Sequence, residues 1–398
     1  MAFSVSDEFD PFGDLAGKRM ALSVTRHALL SEDTTFHCLL CGVDSLDLGF
    51  WVNWGEQWPE LLAYLQTNKD QAQEKKSVLD TTPSKRQFLH LPTGKAPNFR
   101  FHLQFPDYHI YIGISATARN SPNVYVSLAS AALWAMGVVD AVDQVILDLA
   151  SIGGSIYRVV PSRLDLCADY QLSVPPSLPF FKNHAVSRSR AQSSYELAGV
   201  LETFYSGAPG APVRLRIYNK SKEIKKSGKL WFGELWGIEE PENVWRIEYQ
   251  LRRPPLKQFG INSIDDLTEK IGGLWSYLSE NWFSLRLQDN EQQNRRTLLP
   301  WWADVQKQHK EFGPSIRLRR EMGPLNPATA SWLVCHVSGC LASYAAKIGA
   351  ANFLDAMNQL NNEMHVYWFD KDFKGEVSKR SIKLSQTPSI EGGDDEEA

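Results

Sequence analysis

Val213-Arg-Leu-Arg-Ile-Tyr-Asn-Lys-Ser-Lys-Glu223 is the stretch whose reading decides the rest. Its first half alternates strictly, as a strand buried on one face must. Val213, Leu215 and Ile217 point one way, and Arg214, Arg216 and Tyr218 point the other. The polar face thus carries two guanidiniums and a phenol, with Lys220 and Lys222 just past the strand's end. A tyrosine in that much positive charge suits contact with a phosphate backbone. Taken alone, a half-exposed strand whose tyrosine packs its ring and wets its hydroxyl is the plainer account.

Two further segments share this build. In Arg163-Leu-Asp-Leu-Cys-Ala-Asp169, Leu164, Leu166 and Ala168 share the apolar face, and Arg163, Asp165, Cys167 and Asp169 the other. Val244-Trp-Arg-Ile-Glu-Tyr-Gln-Leu251 reads as a third strand, with Arg246, Glu248 and Gln250 on one face and Tyr249 assigned to packing. If the three lie in one sheet with matched faces, Asp165, Asp169, Glu248 and Tyr218 converge. Such carboxylates could hold a hard cation such as Mg²⁺ or Mn²⁺ beside an oxygen nucleophile. For each acid alone, a solvated face or an ion pair with a neighbouring arginine is the simpler explanation.

The order Arg-x-Asp-x-x-x-Asp, Arg-Ile-Tyr-Asn-Lys and Trp-Arg-Ile-Glu resembles the replication initiation factors of rolling-circle plasmids and filamentous phages, the trans-acting Rep proteins. The most specific parts are Leu-Arg-Ile-Tyr-Asn-Lys-Ser-Lys-Glu and Arg-Ile-Glu-Tyr-Gln-Leu-Arg-Arg, with Leu256 and Gly260 following. The likeness covers roughly residues 35–285. It implies a sequence-specific, metal-dependent DNA nickase that joins the 5′ end to a tyrosine and leaves a free 3′ hydroxyl as primer. Tyr218 would be the nucleophile and Lys220 a second catalytic group. Asp165, Glu248 and Asp169 would hold the Mg²⁺ or Mn²⁺. The resemblance also implies a second acid where this chain has Gln250. The implied partners are origin DNA, single-stranded or in a hairpin, and a host helicase and polymerase. A homodimer would suit inverted repeats. The alternatives are a relaxase of a mobile integrative element and a non-catalytic DNA-binding regulator on the same scaffold.

The fold expected is α+β: an antiparallel or mixed sheet built from βαβ-type half-units, helices on one face, and a C-terminal helical region. Ser45-Leu-Asp-Leu and Arg163-Leu-Asp-Leu open similar strands, which would suit two related halves, 35–170 and 171–286, of a nicking domain 35–286. Residues 1–34 read as an arm with a turn at 10–13. Helices are expected over Trp58–Gln73, Ala129–Leu149 and Ile264–Leu285, and a hairpin over Phe99–Ala116. Tyr195–Tyr205 and Pro212–Tyr218 read as a second hairpin. The polar run Gln288-Asp-Asn-Glu-Gln-Gln-Asn-Arg-Arg marks a boundary near 287, before a mainly helical region 287–390. The tail 391–398 is too acidic to fold alone.

At 398 residues the chain is long enough for several domains, and its 43% hydrophobic and 22% charged content is that of a globular protein. A net charge of −4 argues against indiscriminate nucleic-acid binding and leaves room for a local basic groove. Arg214, Arg216, Lys222 and Arg246, with Arg188 and Arg190 from a polar stretch, are the candidate DNA contacts; Arg317, Arg319 and Arg320 form a further basic cluster. The 13 tryptophans offer stacking platforms for bases as well as core volume. An odd count of 5 cysteines, an amino terminus without a basic-then-apolar plan and no apolar run of about 20 residues point to a cytoplasmic protein without a membrane span. Cys38-Leu-Leu-Cys41 has no second pair at zinc-finger spacing, so buried strand cysteines are expected. None of the 9 histidines forms the His-hydrophobe-His pair of other nickases, and no phosphate loop for ATP is present.

Overall fold

Two long strands rich in alternating apolar residues dominate the architecture. The computed structural model describes residues 27–28, 35–314, 318 and 330–378. The expected turn at 10–13, the Arg317, Arg319 and Arg320 cluster and the tail 391–398 lie outside the described residues. The strands are β1 (His27–Ala28), β2 (Thr35–Asn53), β3 (Val78–Thr81), β4 (Gln87–Leu91), β5 (Phe101–Gln104), β6 (Tyr108–Ile112) and β7 (Val124–Leu128). They continue as β8 (Ser155–Leu172), β9 (Ala185–Ser187), β10 (Gln192–Leu197), β11 (Val200–Ser206), β12 (Val213–Asn219), β13 (Val244–Arg252) and β14 (Phe283–Leu285). Helices are α1 (Trp58–Lys75), α2 (Ser130–Met136), α3 (Val138–Ser151), α4 (Leu178–His184), α5 (Lys220–Ser227) and α6 (Phe232–Trp236). Beyond them come α7 (Arg253–Gln258), α8 (Ile264–Ser276), α9 (Pro300–Lys307), α10 (His309–Phe312), α11 (Ala330–Ile348) and α12 (Phe353–Trp368). The protein is α+β, as expected.

The main sheet runs β10-β11-β12-β13-β8-β2-β7-β6-β5-β4-β3, with every pairing antiparallel. β2 and β8 pair from Phe36↔Leu172 to Asn53↔Ser155, and the order reads alike outward from them in both directions. Each side has a long strand, a helix, an antiparallel meander returning beside the long strand (five strands, β3 to β7, beside β2 and four, β10 to β13, beside β8), and closing helices. The similar Ser45-Leu-Asp-Leu and Arg163-Leu-Asp-Leu runs lie opposite each other, Leu46 on Leu164 and Asp47 on Arg163. This symmetry divides the sheet before Ser155, whereas a cut at 170 would leave β8 in the wrong half.

One face of the sheet is core. Leu46, Leu48, Phe50, Leu164, Leu166, Leu215, Ile217 and Ile247 are fully buried there, in one cluster with Leu65 of α1, Val145 and Leu149 of α3, and Leu274 of α8. At about 25 cal/mol per Å² of apolar surface, this burial is the main stabilising term. Trp301, Trp302 and Val305 of α9 belong to the same cluster, and Trp302 Nε1 donates to the Ser279 carbonyl at 2.8 Å. The boundary expected near 287 therefore falls inside the first compact unit, which extends to Arg320; Glu321–Ala398 form the second, with α11 and α12. The polar run after 287 is a loop on the first unit, and the two tryptophans beyond it anchor the chain back into the core.

Local departures from the sequence reading have local causes. The helix expected over 129–149 is two, bent by 112° at Gly137, whose φ of +82° suits glycine. Past Ser276 the expected helix becomes a π-helical turn over Tyr277–Trp282 and then β14, which pairs with β9. Tyr195–Tyr205 is two strands, reversed at Ala198-Gly199. Among the described residues no single helix is long and apolar enough to cross a membrane.

Candidate active site

Direct pairing carries the side chains of β8, β13 and β12 to a common face. Gln250 lies opposite Asp165 and Arg214, Glu248 opposite Cys167 and Arg216, and Arg246 opposite Asp169 and Tyr218. Residues directly opposite share a face, so the parity read from three separate segments holds across all of them. Three short helices close one end of this face: Ile224 of α5 and Phe232 and Trp236 of α6 pack with Leu39 and Val244, beside Trp134 of α2. The rest is left as an open cavity of about 750 Å³, whose lining includes Asp165, Arg216, Tyr218, Lys220 and Glu248.

Within it, the Tyr218 hydroxyl donates to Glu248 Oε2 at 2.9 Å. Arg216 donates to the other Glu248 oxygen and to Asp165 Oδ2, the latter at 3.1 Å. Arg163 grips Asp165 through Nε (3.0 Å) and its terminal nitrogen (2.5 Å). With the Gln250 amide oxygen turned inward, it also accepts from Arg163 at 2.6 Å. Asp165 and Glu248 are only 1% and 2% exposed. Burial raises the Asp165 carboxyl above its usual range against the pull of Arg163 and then Arg216. The buried Nε groups of Arg214 and Arg216 have no partner among the described residues. Of the two, only Arg216 lines the cavity beside the phenol, where a guanidinium with an unpaired donor suits a visiting phosphate.

Tyr218 itself is not pre-ionised. Burial drives its phenol well above the ordinary tyrosine value, Arg246 and Arg216 pull it down, and Asp44 and Asp169 push it up. The pull of the surrounding positive charge is outweighed by desolvation and by carboxylates. Lys220 is buried, pairs with Glu223 at 2.5 Å and lies 5.7 Å from the Tyr218 ring centre. Burial first, then Arg246, lowers its ammonium pKa.

Two expected assignments need correction. Asp169 is fully buried, with one oxygen held by Arg246 Nε at 2.6 Å and the other by Arg246 and Trp236 at 2.7 and 2.9 Å. It anchors an arginine and presents no free oxygen to a metal. Arg246 has 0% exposure and a third bond to Asp44 Oδ1 at 2.6 Å, so it cannot touch DNA from there. Arg214 lies 4.2 Å from the Tyr205 ring, and Lys222 pairs with Glu202 at 3.1 Å. Arg188 bonds Tyr277 at 3.0 Å; both it and Arg190 are exposed and neither lines the cavity.

The donors suit a hard cation in kind but not in arrangement. Both oxygens of Asp165, Glu248 and Asp169 are already engaged, and no group of three His, Cys, Asp or Glu side chains able to hold a metal occurs among the described residues. The arrangement does not fit a preformed Mg²⁺ or Mn²⁺ centre.

Asp44 escaped the sequence reading. By alternation with Leu46 and Leu48 it belongs in the core. A bulge between Val43 and Ser45 turns it to the open face, where it accepts from Ser130 (2.8 Å), Trp134 (3.2 Å) and Arg246. Burial opposes its ionisation, yet Arg246 and Lys220 hold its carboxyl well below the usual range. Trp134 lies on Gly42, where a Cβ would come 2.5 Å from the indole. Arg163 was visible in sequence on the same face as Asp165; two residues apart on a strand is the spacing that lets it reach back.

No protein-family model and no curated protein matches the sequence. Among solved structures, the chain is similar to a rolling circle replication initiator protein from Geobacillus stearothermophilus, at 16% identity and a TM-score of 0.42, over 71% of this chain and 99% of that chain.

Proposed function

We propose that this protein is a rolling-circle replication initiator that nicks one strand of origin DNA with Tyr218. The observation that carries the reading is the Tyr218 hydroxyl held 2.9 Å from Glu248, beside the Arg216 guanidinium, in an open cavity. A free tyrosine, with a pKa of ~10, is about one part in a thousand ionised at neutral pH, so proton removal has to accompany attack. Glu248 Oε2 is placed to accept that proton. The phenol oxygen then bonds phosphorus as the bond to the 3′ oxygen breaks, leaving a 5′-phosphotyrosine. Arg216 would stabilise the charge spread over the phosphoryl oxygens. Lys220, its pKa lowered, would protonate the departing 3′ oxygen. One phosphodiester replaces another, so rejoining needs no ATP, and the free 3′ hydroxyl can prime a polymerase.

A requirement for Mg²⁺ or Mn²⁺ is a separate proposal, because Arg216 must first leave both carboxylates. The non-catalytic regulator is favoured by one observation, the phenol driven upward by burial. Supercoiled origin DNA incubated with the protein and Mn²⁺ separates the two. Relaxed circles carrying covalent protein, lost in Tyr218→Phe, are expected. Equal relaxation by both proteins removes Tyr218 as nucleophile, and none by the wild type favours the regulator.

A further inference from the structure

The open face does not stop at the cavity. Asp47 lies opposite Arg163, Ser127 opposite Asp47, and His109 opposite Ser127, so the face bearing Tyr218 and Glu248 continues across β2, β7 and β6. His109 and Ser127 line the cavity themselves. Beyond them the outward positions are aromatic. His102 is in hydrogen-bond range of His109 (Nε2 to Nδ1, 2.9 Å) and stacks on Tyr111 with ring centres 4.3 Å apart. Tyr111 lies 6.2 Å from Tyr125, and Phe99 lies 5.6 Å from Tyr125. All are half-buried.

The charge on this surface is one-sided. Lys95 Nζ stands 4.3 Å from the Tyr125 ring centre and 5.1 Å from that of Tyr111. It is held in a turn closed by mutual backbone bonds between Lys95 and Phe99, at 2.8 and 3.0 Å. Gly94 in that turn leaves no room for a side chain, since a Cβ would come 2.2 Å from the Phe99 carbonyl. Further along, Arg158 lies over Trp51 at 4.7 Å. On the outward positions of β5, β6, β7 and Ser45–Trp51 the one carboxylate is Asp47, and Tyr125 donates to it at 2.7 Å. Burial and then His109 lower the His102 pKa to about 4, so its ring is neutral at physiological pH.

We propose that Phe99, His102, Tyr111 and Tyr125, with Lys95 among them, form a stacking platform for single-stranded DNA that leads into the Tyr218 cavity. The choice of strand rests on the nickase reading; the choice of chemistry rests on the surface. Flat rings suit unpaired bases, whose faces are hidden in a duplex, and isolated cations suit a single phosphate track. Such a platform is tolerant of sequence, so it would hold the unwound strand while other elements choose the site.

The test uses the full chain and fluorescein-labelled oligothymidylate of roughly 20 nucleotides, read by anisotropy. Tyr111→Ala and Phe99→Ala should each weaken binding by about five- to a hundred-fold, while Tyr111→Phe, which keeps a ring, stays within about two-fold of wild type. In the wild type, 5-bromodeoxyuridine in the same oligonucleotide should photocrosslink to peptides containing Phe99, His102 or Tyr111, an arm that needs no variant to fold. Binding unchanged in both alanine variants, crosslinks confined to other peptides, or equally good competition by duplex DNA would each overturn the platform. The nickase reading is tested separately, by the nicking of wild type and of Tyr218→Phe. If that variant still nicks, Tyr218 is not the nucleophile, and if the wild type does not nick at all the nickase reading fails, while the platform's own arms remain decisive.

Discussion

Arg246→Met asks whether that arginine is a DNA contact, as its place in the sequence suggested, or a buried strut. Arg246 is fully buried and makes three charged hydrogen bonds of 2.6, 2.7 and 2.6 Å to Asp169 and Asp44. Removing it leaves two carboxylates without their shared cation, a loss of about 3–5 kcal/mol. At roughly 2.1 cal/mol/K of unfolding entropy per residue, a unit of about 280 residues melts with about 0.6 kcal/mol/K, so Tm should fall by roughly 5–8 °C. Calorimetry of the purified variant reads this directly. Arg246→Met combined with Asp169→Asn should recover part of the loss, because the double change removes a stranded charge. Nicking should fall further than the melting data explain, since Arg246 is the strongest influence drawing the Tyr218 phenol down against burial. A Tm shift under about 1 °C, with DNA affinity lowered and its salt slope reduced by about one, would show a surface phosphate contact and refute the argument.

Glu248→Gln keeps the shape and removes the base. Cleavage of origin DNA should drop by about 10²–10⁴-fold with origin affinity retained, and a fall below ten-fold would mean the Tyr218 proton goes elsewhere. Lys220→Ala should slow cleavage most where the 3′ oxygen is a poor leaving group; a 3′-bridging phosphorothiolate substrate, which needs no proton, should restore the rate. Calorimetric titration of Mn²⁺ should show tighter binding to Arg216→Ala than to wild type, and equal isotherms would exclude Asp165 and Glu248 as ligands. The folded pKa of Asp44 is depressed, so its contribution to stability is present above its unfolded value of about 3.9 and is lost as pH falls below it. Melting temperatures taken downward from about pH 6 should therefore fall more steeply in wild type than in Asp44→Asn.

Alternation made the sheet legible, because a period of two puts Leu164, Leu215 and Ile247 inside and Asp165, Arg216 and Glu248 outside whatever the register. Convergence of Asp165, Tyr218 and Glu248 needed only that β8, β13 and β12 be neighbours, which they are. Whether an acid holds a metal or an arginine was not written there. Asp169 and Arg246 have the right parity for the cavity, and only the tertiary placement of Phe232 and Trp236 shows that the face is covered at that end. Asp44 was hidden by its bulge, since one inserted residue reverses the parity of everything before it. The polar run after 287 looked like a linker because composition cannot tell a loop between domains from one on a domain's surface. Trp301 and Trp302, buried in the common core, settle that case.

The contact of Trp134 with Gly42 ties two distant positions into one inheritance. Any side chain at 42 would displace the indole, and with it a donor to Asp44, which in turn supports Arg246. A lineage could enlarge 42 only after shrinking 134, so divergent copies of this chain should change the two residues as a pair. The nucleophile's surroundings would thus be guarded by the absence of a single methyl group.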